Sequence, residues 1–342
     1  MTAFKLRIEP AGVEIPCPAG GSLLDAALMA GYFPRHSCRR GQCNVCETRV
    51  VSGDVRYPEG FEPEGVRNGY VLACQARCVS DVTIEAPEVT SVPGRRIVQT
   101  GARVLQVERV SGDVARVHLS VPHGAGFTFQ AGQYAEVILR DGSRRSYSMA
   151  NAPAEDGHIE WHIRAVPNGL FSNHVYCTLK PRDMVRIEGP FGTFVLRDTA
   201  APIILLASGT GYAPIAAMLK AHDAVIRQRG AVLYWGGVRL ADIYAYDEML
   251  AWEKASPGLR FVPVLSGDEP GWGGRRGFVH EAVAADFPDL SRHEVYACGN
   301  PVMVDAARHI FTQANGLAAI NFFSDAFVTH AKLVERDEET RA

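Results

Sequence analysis

Four cysteines constrain this chain more than any other feature of its sequence. Cys38, Cys43 and Cys46 form a Cys-x4-Cys-x2-Cys run, and Cys74 follows further on. This spacing is typical of thiolates that hold a [2Fe–2S] cluster, because three ligands on one tight loop wrap the irons while a fourth closes the cage. Gly41 supplies the backbone freedom that such a loop needs. The sequence therefore predicts a one-electron carrier near the amino terminus.

Two other uses of the cysteines are less well supported. Structural zinc sites favour two Cys-x2-Cys hooks, and this chain has one. Disulfides need an oxidising compartment, and no signal peptide points to one. Cys78 lies close enough to Cys74 to compete as the fourth ligand. We favour Cys74, because residues 71–75 resemble the segment that carries the last ligand in plant-type ferredoxin domains.

Length and charge limit the remaining possibilities. The 342 residues suggest two or three domains. A formal net charge of −3 gives no basic field for nucleic acid. No apolar run approaches the roughly 18 residues that a membrane span requires. We expect a cytoplasmic protein with neither a membrane nor a nucleic-acid partner.

The amino-terminal region has the pattern of a small α+β unit. Alternation at residues 4–8 and 82–84 predicts strands. Residues 22–30 have helical spacing, with Ser22 as the N-cap and Asp25 three positions later. The two prolines and weak apolar periodicity of residues 86–94 indicate a linker to the next domain.

A second region alternates at residues 104–107, 114–119 and 134–139, which predicts a small antiparallel barrel. It contains Arg145-Ser146-Tyr147-Ser148, followed later by Asn168-Gly169-Leu170-Phe171-Ser172. These residues resemble the flavin-binding Arg-x-Tyr-Ser motif and the pyrophosphate turn of the ferredoxin–NAD(P)+ reductase superfamily. The resemblance implies that this barrel binds FAD.

The third region predicts an open α/β sheet. An apolar run at 202–207 reads as a buried parallel strand, and Ser208-Gly209-Thr210-Gly211-Tyr212-Ala213-Pro214 follows it. The third glycine of a Rossmann fingerprint is missing, yet Gly-Thr-Gly-x-Ala-Pro resembles the nicotinamide nucleotide loop of the same superfamily. Cys298-Gly299-Asn300-Pro301 resembles its segment beside the nicotinamide, and residues 322–327 resemble its near-terminal acid-x-aromatic segment.

The resemblance implies roles residue by residue. Arg145 would neutralise the flavin pyrophosphate, Tyr147 would pack along the flavin ring, and Ser148 would bond near flavin N5. Asp325 would handle a proton there, or it is only a surface acid. The implied catalytic residues are Ser148, Cys298 and Asp325, and the implied cofactor contacts are Arg145, Tyr147, Ser148, His162, Arg164, Gly169, Phe171, Ser172, Gly209, Thr210, Gly211, Pro214, Arg239, Gly299 and Phe327.

The order of the three modules resembles the reductase components of bacterial ring-hydroxylating dioxygenases and related multicomponent oxygenases, most of all those of the terephthalate dioxygenase kind. We expect a ferredoxin-like α+β cluster domain at 1–88, an FAD barrel at 98–198, an α/β nucleotide domain at 201–330 and a tail at 331–342. The implied function is to take hydride from NAD(P)H onto FAD and pass single electrons through the cluster to a Rieske-type oxygenase.

Some alternatives stay open. The same order serves diiron monooxygenases and deoxysugar dehydration, and a stand-alone diaphorase or a redox sensor is a further possibility. The coenzyme is undetermined, because no acidic residue stands at 236–240 to bind a ribose hydroxyl. Arg239, Arg275 or Arg276 could meet the 2′-phosphate of NADPH. Arg35, Arg39 and Arg40, near the first ligand, could steer an acidic partner or could simply be solvated.

Overall fold

The structure, a computed structural model, describes residues 3–91 and 96–327. The described chain divides into two compact units. The first unit holds the described residues up to Ile97 together with Phe191–Thr193, and the second holds Val98–Pro190 and Phe194–Phe327. The predicted tail at 331–342 lies outside the described residues, as do positions 92–94 of the predicted linker.

The first unit is built from short strands and one helix. They are β1 (Ala3–Glu9), β2 (Val13–Pro18), α1 (Leu23–Met29), β3 (Tyr32–Phe33), β4 (Glu47–Ser52), β5 (Val55–Arg56), β6 (Tyr70–Leu72), β7 (Arg77–Cys78), β8 (Val82–Glu85) and β9 (Thr90–Ser91). Five strands form a mixed sheet in the order β2-β1-β8-β4-β6. β1 pairs in parallel with β8 and antiparallel with β2. This is the predicted α+β unit.

Helix α1 begins where the sequence predicts. The Ser22 hydroxyl accepts a hydrogen bond from the Asp25 backbone N–H at 3.0 Å, which satisfies one of the free donors of the first turn. Gly31, with φ of +82°, follows the end of the helix. The helix buries Leu23, Leu24, Ala26, Ala27 and Leu28, so its apolar face anchors the loop that comes next in the chain.

The first half of the second unit is the predicted antiparallel barrel. Its elements are β10 (Val98–Arg109), β11 (Val114–Ser120), β12 (Tyr134–Ile138), β13 (Arg144–Ser148), β14 (His158–Arg164), α2 (Leu170–Cys177) and β15 (Met184–Phe191). The strand order is β13-β12-β15-β10-β11-β14, and a bridge between Met149 and Trp161 brings the two ends together. A core that includes Val117, Trp161 and Ile187 fills the interior.

The second half is a parallel sheet flanked by helices. Its elements are β16 (Ile203–Ser208), α3 (Tyr212–Ala221), α4 (Asp223–Arg229), β17 (Ala231–Gly237), α5 (Tyr246–Ala255), β18 (Leu259–Leu265), β19 (Arg275–Arg276), α6 (Val279–Asp286), β20 (Glu294–Gly299), α7 (Pro301–Gln313) and β21 (Phe322–Ala326). The order β19-β18-β17-β16-β20-β21 is parallel throughout, as expected of an open α/β sheet. None of the helices in the described ranges is both long and apolar enough to cross a membrane.

Candidate functional site

Residues 34–46 of the first unit, here called the cluster loop, connect β3 to β4. Three of them have left-handed backbone: Arg39 with φ of +57°, Gly41 with +76° and Asn44 with +51°. A Cβ on Gly41 would come within 2.4 Å of the Phe61 ring. Glycine is therefore required there by both conformation and space.

The four predicted ligands form two thiol pairs. The Cys38 thiol contacts that of Cys43, and the Cys46 thiol contacts that of Cys74. A charge interaction between Cys43 and Cys46 links the pairs. Among the described residues no three potential metal-ligating side chains surround one point that would hold a single ion. Two linked pairs fit a two-iron cluster, in which each iron takes two thiolates.

Backbone donors around the first ligand favour a thiolate. Contact with the Cys43 thiol lowers the pKa of Cys38, and backbone N–H groups of Arg40, Gln42 and Cys43 act in the same direction. The Arg40 N–H lies 3.4 Å from the Cys38 sulfur. Such donors stabilise the negative charge of cluster sulfurs, so the loop suits the predicted group.

Cys78 has a different neighbour. Its thiol contacts that of Cys17, and both side chains are buried. The alternative in which Cys78 replaces Cys74 as the fourth ligand would require this contact to break. The assignment of Cys74 stays a prediction, and its contact with Cys46 supports it.

His36 holds the start of the cluster loop. It is 1% exposed, and its Nε2 accepts a hydrogen bond from the Gly192 N–H at 2.9 Å. Its backbone N–H donates to the Thr193 hydroxyl at 3.1 Å. Both partners belong to the three-residue segment that is part of the first unit. Nε2 accepts, so the proton is on Nδ1, which donates to the Pro34 carbonyl at 2.7 Å.

The predicted flavin motif lies on β13. The Tyr147 ring packs against Trp161 and Phe171, with centroids 5.4 Å and 5.5 Å apart, and burial raises the pKa of its hydroxyl. Ser148, 6% exposed, ends the strand. Arg145 donates to the Arg144 carbonyl at 2.8 Å, and within the described part of the chain it makes no ion pair with a carboxylate. A cation without a carboxylate partner fits a pyrophosphate group.

The predicted pyrophosphate turn precedes α2. Asn168 has φ of +58°, a conformation that asparagine tolerates better than most residues. Gly169 is the N-cap of α2, and a Cβ there would lie 2.4 Å from the Ser172 hydroxyl oxygen. That hydroxyl accepts from the Val166 N–H at 3.2 Å and so closes the turn. The first N–H groups of α2 remain available to an anion.

Residues 208–214, here called the nucleotide loop, lead from β16 into α3. A Cβ on Gly211 would lie 2.2 Å from the carbonyl oxygen of Cys298. A Cβ on Gly299, whose φ is +126°, would lie 2.4 Å from the Ser208 hydroxyl. That hydroxyl accepts from the Asn300 N–H at 2.8 Å. The ends of β16 and β20 therefore approach so closely that only glycine fits at both positions.

Arg164 of β14 lies against the nucleotide loop. A Cβ on Gly209 would come 2.9 Å from its Nη1. Its Nε is 3.1 Å from Asp113, while Nη2 is buried and has no hydrogen-bond partner among the described residues. An orphaned guanidinium nitrogen beside a glycine turn and a helix start fits the phosphates of a dinucleotide.

Cys298 and Asp325 are neighbours in the sheet. Cys298, the last residue but one of β20, is in register with Asp325 on β21. The backbone N–H of Phe327, which follows β21, donates to the Gly299 carbonyl at 2.8 Å. Burial raises the pKa of the Cys298 thiol, and the charge of Asp325 raises it further. The thiol is therefore neutral near pH 7. The structure brings two of the three predicted catalytic residues together at the carboxyl end of the sheet, where such folds bind ligands.

Comparison with known protein families matches each part of the chain in turn. Residues 6–79 match a 2Fe-2S iron-sulfur cluster binding domain, 101–196 an oxidoreductase FAD-binding domain, and 205–309 an oxidoreductase NAD-binding domain. Terephthalate 1,2-dioxygenase reductase component 2 of Comamonas sp is 34% identical over 95% of this chain and 97% of its own. The chain belongs to the iron–sulfur flavoprotein NAD(P)H reductases. The predicted cofactors and fold classes are thereby confirmed.

Other relatives of the reductase serve different systems. The CDP-6-deoxy-L-threo-D-glycero-4-hexulose-3-dehydrase reductase of Yersinia pseudotuberculosis serotype I (strain IP32953) is 39% identical over 95% of this chain and 99% of its own. The crystal structure of the Amycolatopsis cytochrome P450 reductase GcoB superimposes with a TM-score of 0.81 at 32% identity, over 95% of this chain and 99% of that one.

A buried polar network around His162 was not predicted from the sequence of the reductase. His162 Nε2 lies 2.7 Å from Glu160, and Nδ1 lies 2.7 Å from the Tyr244 hydroxyl. Because a carboxylate only accepts, Nε2 carries the proton and Nδ1 accepts from Tyr244. Lys220 is 3.3 Å from the other Glu160 oxygen. The alternation of residues 158–162 on β14 is the signal that could have placed Glu160 and His162 on one face.

This network changes the expectation for His162. Both of its ring nitrogens bond to protein groups, so the predicted cofactor contact stays a prediction that would have to use the ring face or the backbone. Burial alone would raise the pKa of Glu160, but the His162 hydrogen bond and the Lys220 charge outweigh it and lower the pKa to about 2.

The three candidate arginines for a 2′-phosphate differ in their partners. Arg275 pairs with Asp286, and Arg276 lies 3.6 Å from Asp268. The Arg239 side chain is exposed and has no ion pair among the described residues. Its backbone N–H donates to Asp242 at 2.8 Å. Of the three, Arg239 is thus the one with no carboxylate partner in the described part of the chain.

Proposed function

We propose that the reductase supplies single electrons to an iron-containing terminal oxygenase, with a Rieske-type aromatic-ring dioxygenase as the specific partner. The observation that carries the proposal is the two linked thiol pairs formed by the cluster loop and Cys74, in a chain that also holds a flavin barrel and a nucleotide domain. When bound, NAD(P)H supplies a hydride, FAD accepts two electrons and releases them singly, and the [2Fe–2S] cluster carries one at a time.

In this proposal the cluster ligands are Cys38, Cys43, Cys46 and Cys74. Cys46 and Cys74 are 4% and 7% exposed, while Cys38 and Cys43 are half-buried, so water would be excluded more from one thiol pair than from the other. The proposed domain bounds are 1–88, 98–198 and 201–330, and the three matched families fall inside them.

The flavin would be held through β13 and α2. Arg145 would pair with its pyrophosphate together with the N–H groups that follow Gly169, while Phe171 supports Tyr147 against the ring. Ser148, at the buried end of β13, would bond near N5. Ser172 would stabilise the turn rather than contact the cofactor, because its hydroxyl accepts from the Val166 N–H and donates to the Gly169 carbonyl.

The nucleotide would lie along the nucleotide loop. Gly209 and Gly211 leave the backbone bare, Thr210 stands between them, and Pro214 falls in the first turn of α3, where a missing N–H costs little. The Arg164 guanidinium would receive a phosphate, and Arg239 would meet a 2′-phosphate if the coenzyme is NADPH.

The nicotinamide end would face Cys298. Because burial keeps its thiol protonated, Cys298 would offer a neutral, compact surface to the ring rather than a charge. Gly299 and Phe327 would line the same edge, joined by the 2.8 Å backbone hydrogen bond. Asp325, 6% exposed, would hold or release the proton that flavin reduction requires.

A second candidate is a deoxysugar dehydrase as electron acceptor. It is favoured by the 39% identity to the Yersinia dehydrase reductase, against 34% for the Comamonas dioxygenase reductase over the same share of this chain. A cytoplasmic location suits both candidates, since all eight cysteines are free thiols in the structure.

Anaerobic stopped-flow mixing with NADH and, separately, NADPH tests the electron path. We expect flavin bleaching first and loss of the cluster's visible bands second, with the faster nucleotide identifying the coenzyme. A cluster that stays oxidised while the flavin bleaches would remove it from the path and favour the diaphorase or sensor.

The partner is tested by giving the reduced protein two acceptors in parallel. These are the terminal oxygenase of the Comamonas terephthalate system and the dehydrase of the Yersinia deoxyhexulose system. Faster reduction of the oxygenase iron centre supports the proposal, and faster turnover with the dehydrase replaces it with the second candidate.

A further inference from the structure

Gln75 reaches back from the fourth predicted ligand to the cluster loop. Its side-chain nitrogen lies 3.2 Å from the carbonyl oxygen of Arg39 and 3.8 Å from the sulfur of Cys74. Because a carbonyl oxygen only accepts, the amide must present its N–H groups to Arg39. One N–H therefore bonds to the loop backbone and the other is left for the sulfur.

Arg39 gives this amide a fixed target. The residue has left-handed backbone, and its guanidinium is 3.0 Å from Asp25 and 3.9 Å from the centre of the Phe191 ring. These two contacts hold the Arg39 backbone in a conformation that residues other than glycine seldom adopt. The Arg39 carbonyl is therefore aimed by α1 and by the segment 191–193, both within the first unit.

The loop also leaves room for Gln75. A Cβ on Gly41 would lie 2.8 Å from its Cγ, so the bare glycine lets the side chain cross the loop. The aliphatic part of Gln75 packs on Gly41 while its amide joins residues 36 positions apart in the chain.

We propose that Gln75 is a positioning residue for the [2Fe–2S] cluster and that its amide raises the reduction potential. Reduction adds a negative charge that the ligand sulfurs share, and an N–H donor to a ligand sulfur stabilises that charge. The same amide links the segment of Cys74 to the loop that carries the other three ligands, so it orients the fourth sulfur, while the thiolates themselves hold the cluster. The proposal rests on Cys74 as a ligand.

The test compares Gln75→Leu and Gln75→Glu with wild type, using the full chain loaded with FAD and cluster. Both variants keep the approximate shape and remove the donor, and Glu adds a negative charge. Gln106→Leu, at an exposed position on β10, is the matched control. The cluster's potential is measured by potentiometric titration followed by electron paramagnetic resonance, with the flavin couple as the reference within the same sample.

For Gln75→Leu we expect the ratio of reduced to oxidised cluster at a fixed potential to fall about tenfold, which is about 59 mV for one electron. Gln75→Glu should lower the cluster's reduction potential at least as much. The potential of the flavin couple, and the cluster potential of Gln106→Leu, should stay at the wild-type values. The resonance signal of the reduced cluster should also shift in both Gln75 variants.

An unchanged potential and signal in both Gln75 variants would overturn the proposal. So would loss of the cluster from both, since the four thiolates and not Gln75 should hold it. Reduction of the cluster by the coenzyme in wild type tests the proposed electron path separately from the role of Gln75. If that reduction occurs and the variants do not differ, only the role of Gln75 fails.

Discussion

In the proposed function, the cluster loop and the nucleotide loop would position negatively charged groups by opposite means. Three thiols of the cluster loop converge with that of Cys74, and unusual backbone angles at Arg39 and Asn44 are held by side-chain contacts such as those to Asp25 and Glu64. In the nucleotide loop the backbone itself passes close to the end of β20, and neither Gly211 nor the facing Gly299 has space for a side chain.

This difference decides how each site responds to mutation. A site made of side chains depends on which chemical group stands at each position, so replacing one ligand removes the function. A site made of backbone depends on the space beside it, so adding a methyl group is enough to disturb it. We therefore expect the cluster loop to lose its function when a ligand is replaced, and the nucleotide loop to lose its function when a glycine gains a methyl group.

The largest expected effect is loss of the cluster from Cys74→Ser. A hydroxyl is a poor substitute for a thiolate on iron, so iron content and visible absorption should fall to background. Cys78→Ser is the matched control and should keep the cluster, because its thiol contacts Cys17 instead. Loss from Cys78→Ser with retention in Cys74→Ser would reverse the assignment. Iron and sulfide analysis with visible spectra gives the answer.

Gly211→Ala should act on the other loop. Its Cβ would be 2.2 Å from the Cys298 carbonyl, so the loop must move and the nucleotide loses its place. We expect flavin reduction by NAD(P)H to slow about a thousandfold, about 4 kcal/mol in activation free energy. Chemical reduction of the cluster with dithionite should be unchanged.

Gly112→Ala is the control for this change, because a Cβ there would meet nothing within 4 Å. Stopped-flow absorbance measures both rates. A Gly211→Ala protein with wild-type flavin reduction would show that close backbone approach does not define the nucleotide site.

Glu160→Gln sharpens the comparison through acid stability. The pKa of Glu160 is lowered to about 2, so its ionised form stabilises the fold above the unfolded value, about 4.3. That contribution is lost as the pH falls from about 5 to about 2, and it amounts to at most about 3 kcal/mol. The variant should therefore lose less stability over this range than wild type, and only in the second unit.

Hydrogen exchange of second-unit amides at stepped pH measures this loss. Glu155→Gln, an exposed acid on the loop before β14, is the control and should behave as wild type. Equal acid sensitivity of Glu160→Gln and wild type would mean that the network does not depress the carboxyl.

Ser22→Ala gives the smallest expected effect. It removes the hydrogen bond to the Asp25 N–H and should destabilise α1 by about 1 kcal/mol. Amide exchange of Leu23–Met29 should speed up accordingly, while amides of the second unit serve as the internal reference. An unchanged rate in α1 would show that tertiary packing alone sets where the helix begins.

Much of the architecture was predictable because it depends on local patterns. The cap at Ser22, the buried run that became β16, and the open α/β order all appear in short windows of sequence. Residues 104–107 were predicted as a strand, whereas β10 runs over Val98–Arg109. Its first half pairs with β15 and its second half with β11, and local alternation does not show that one strand serves two partners. β15 itself was missed, although residues 184–187 alternate between exposed and buried.

The sequence by itself determined the chemistry that each region can carry. The thiol spacing, the Arg-x-Tyr-Ser strand and the glycine turn are short local motifs, so each can be recognised before the fold is known. Only the tertiary structure decided which groups meet. It paired Cys74 with Cys46, placed Arg164 on Gly209, and joined His162 to Tyr244 across 82 positions. The physical reason is that hydrogen bonds and steric contacts act over a few ångströms, whatever the separation along the chain.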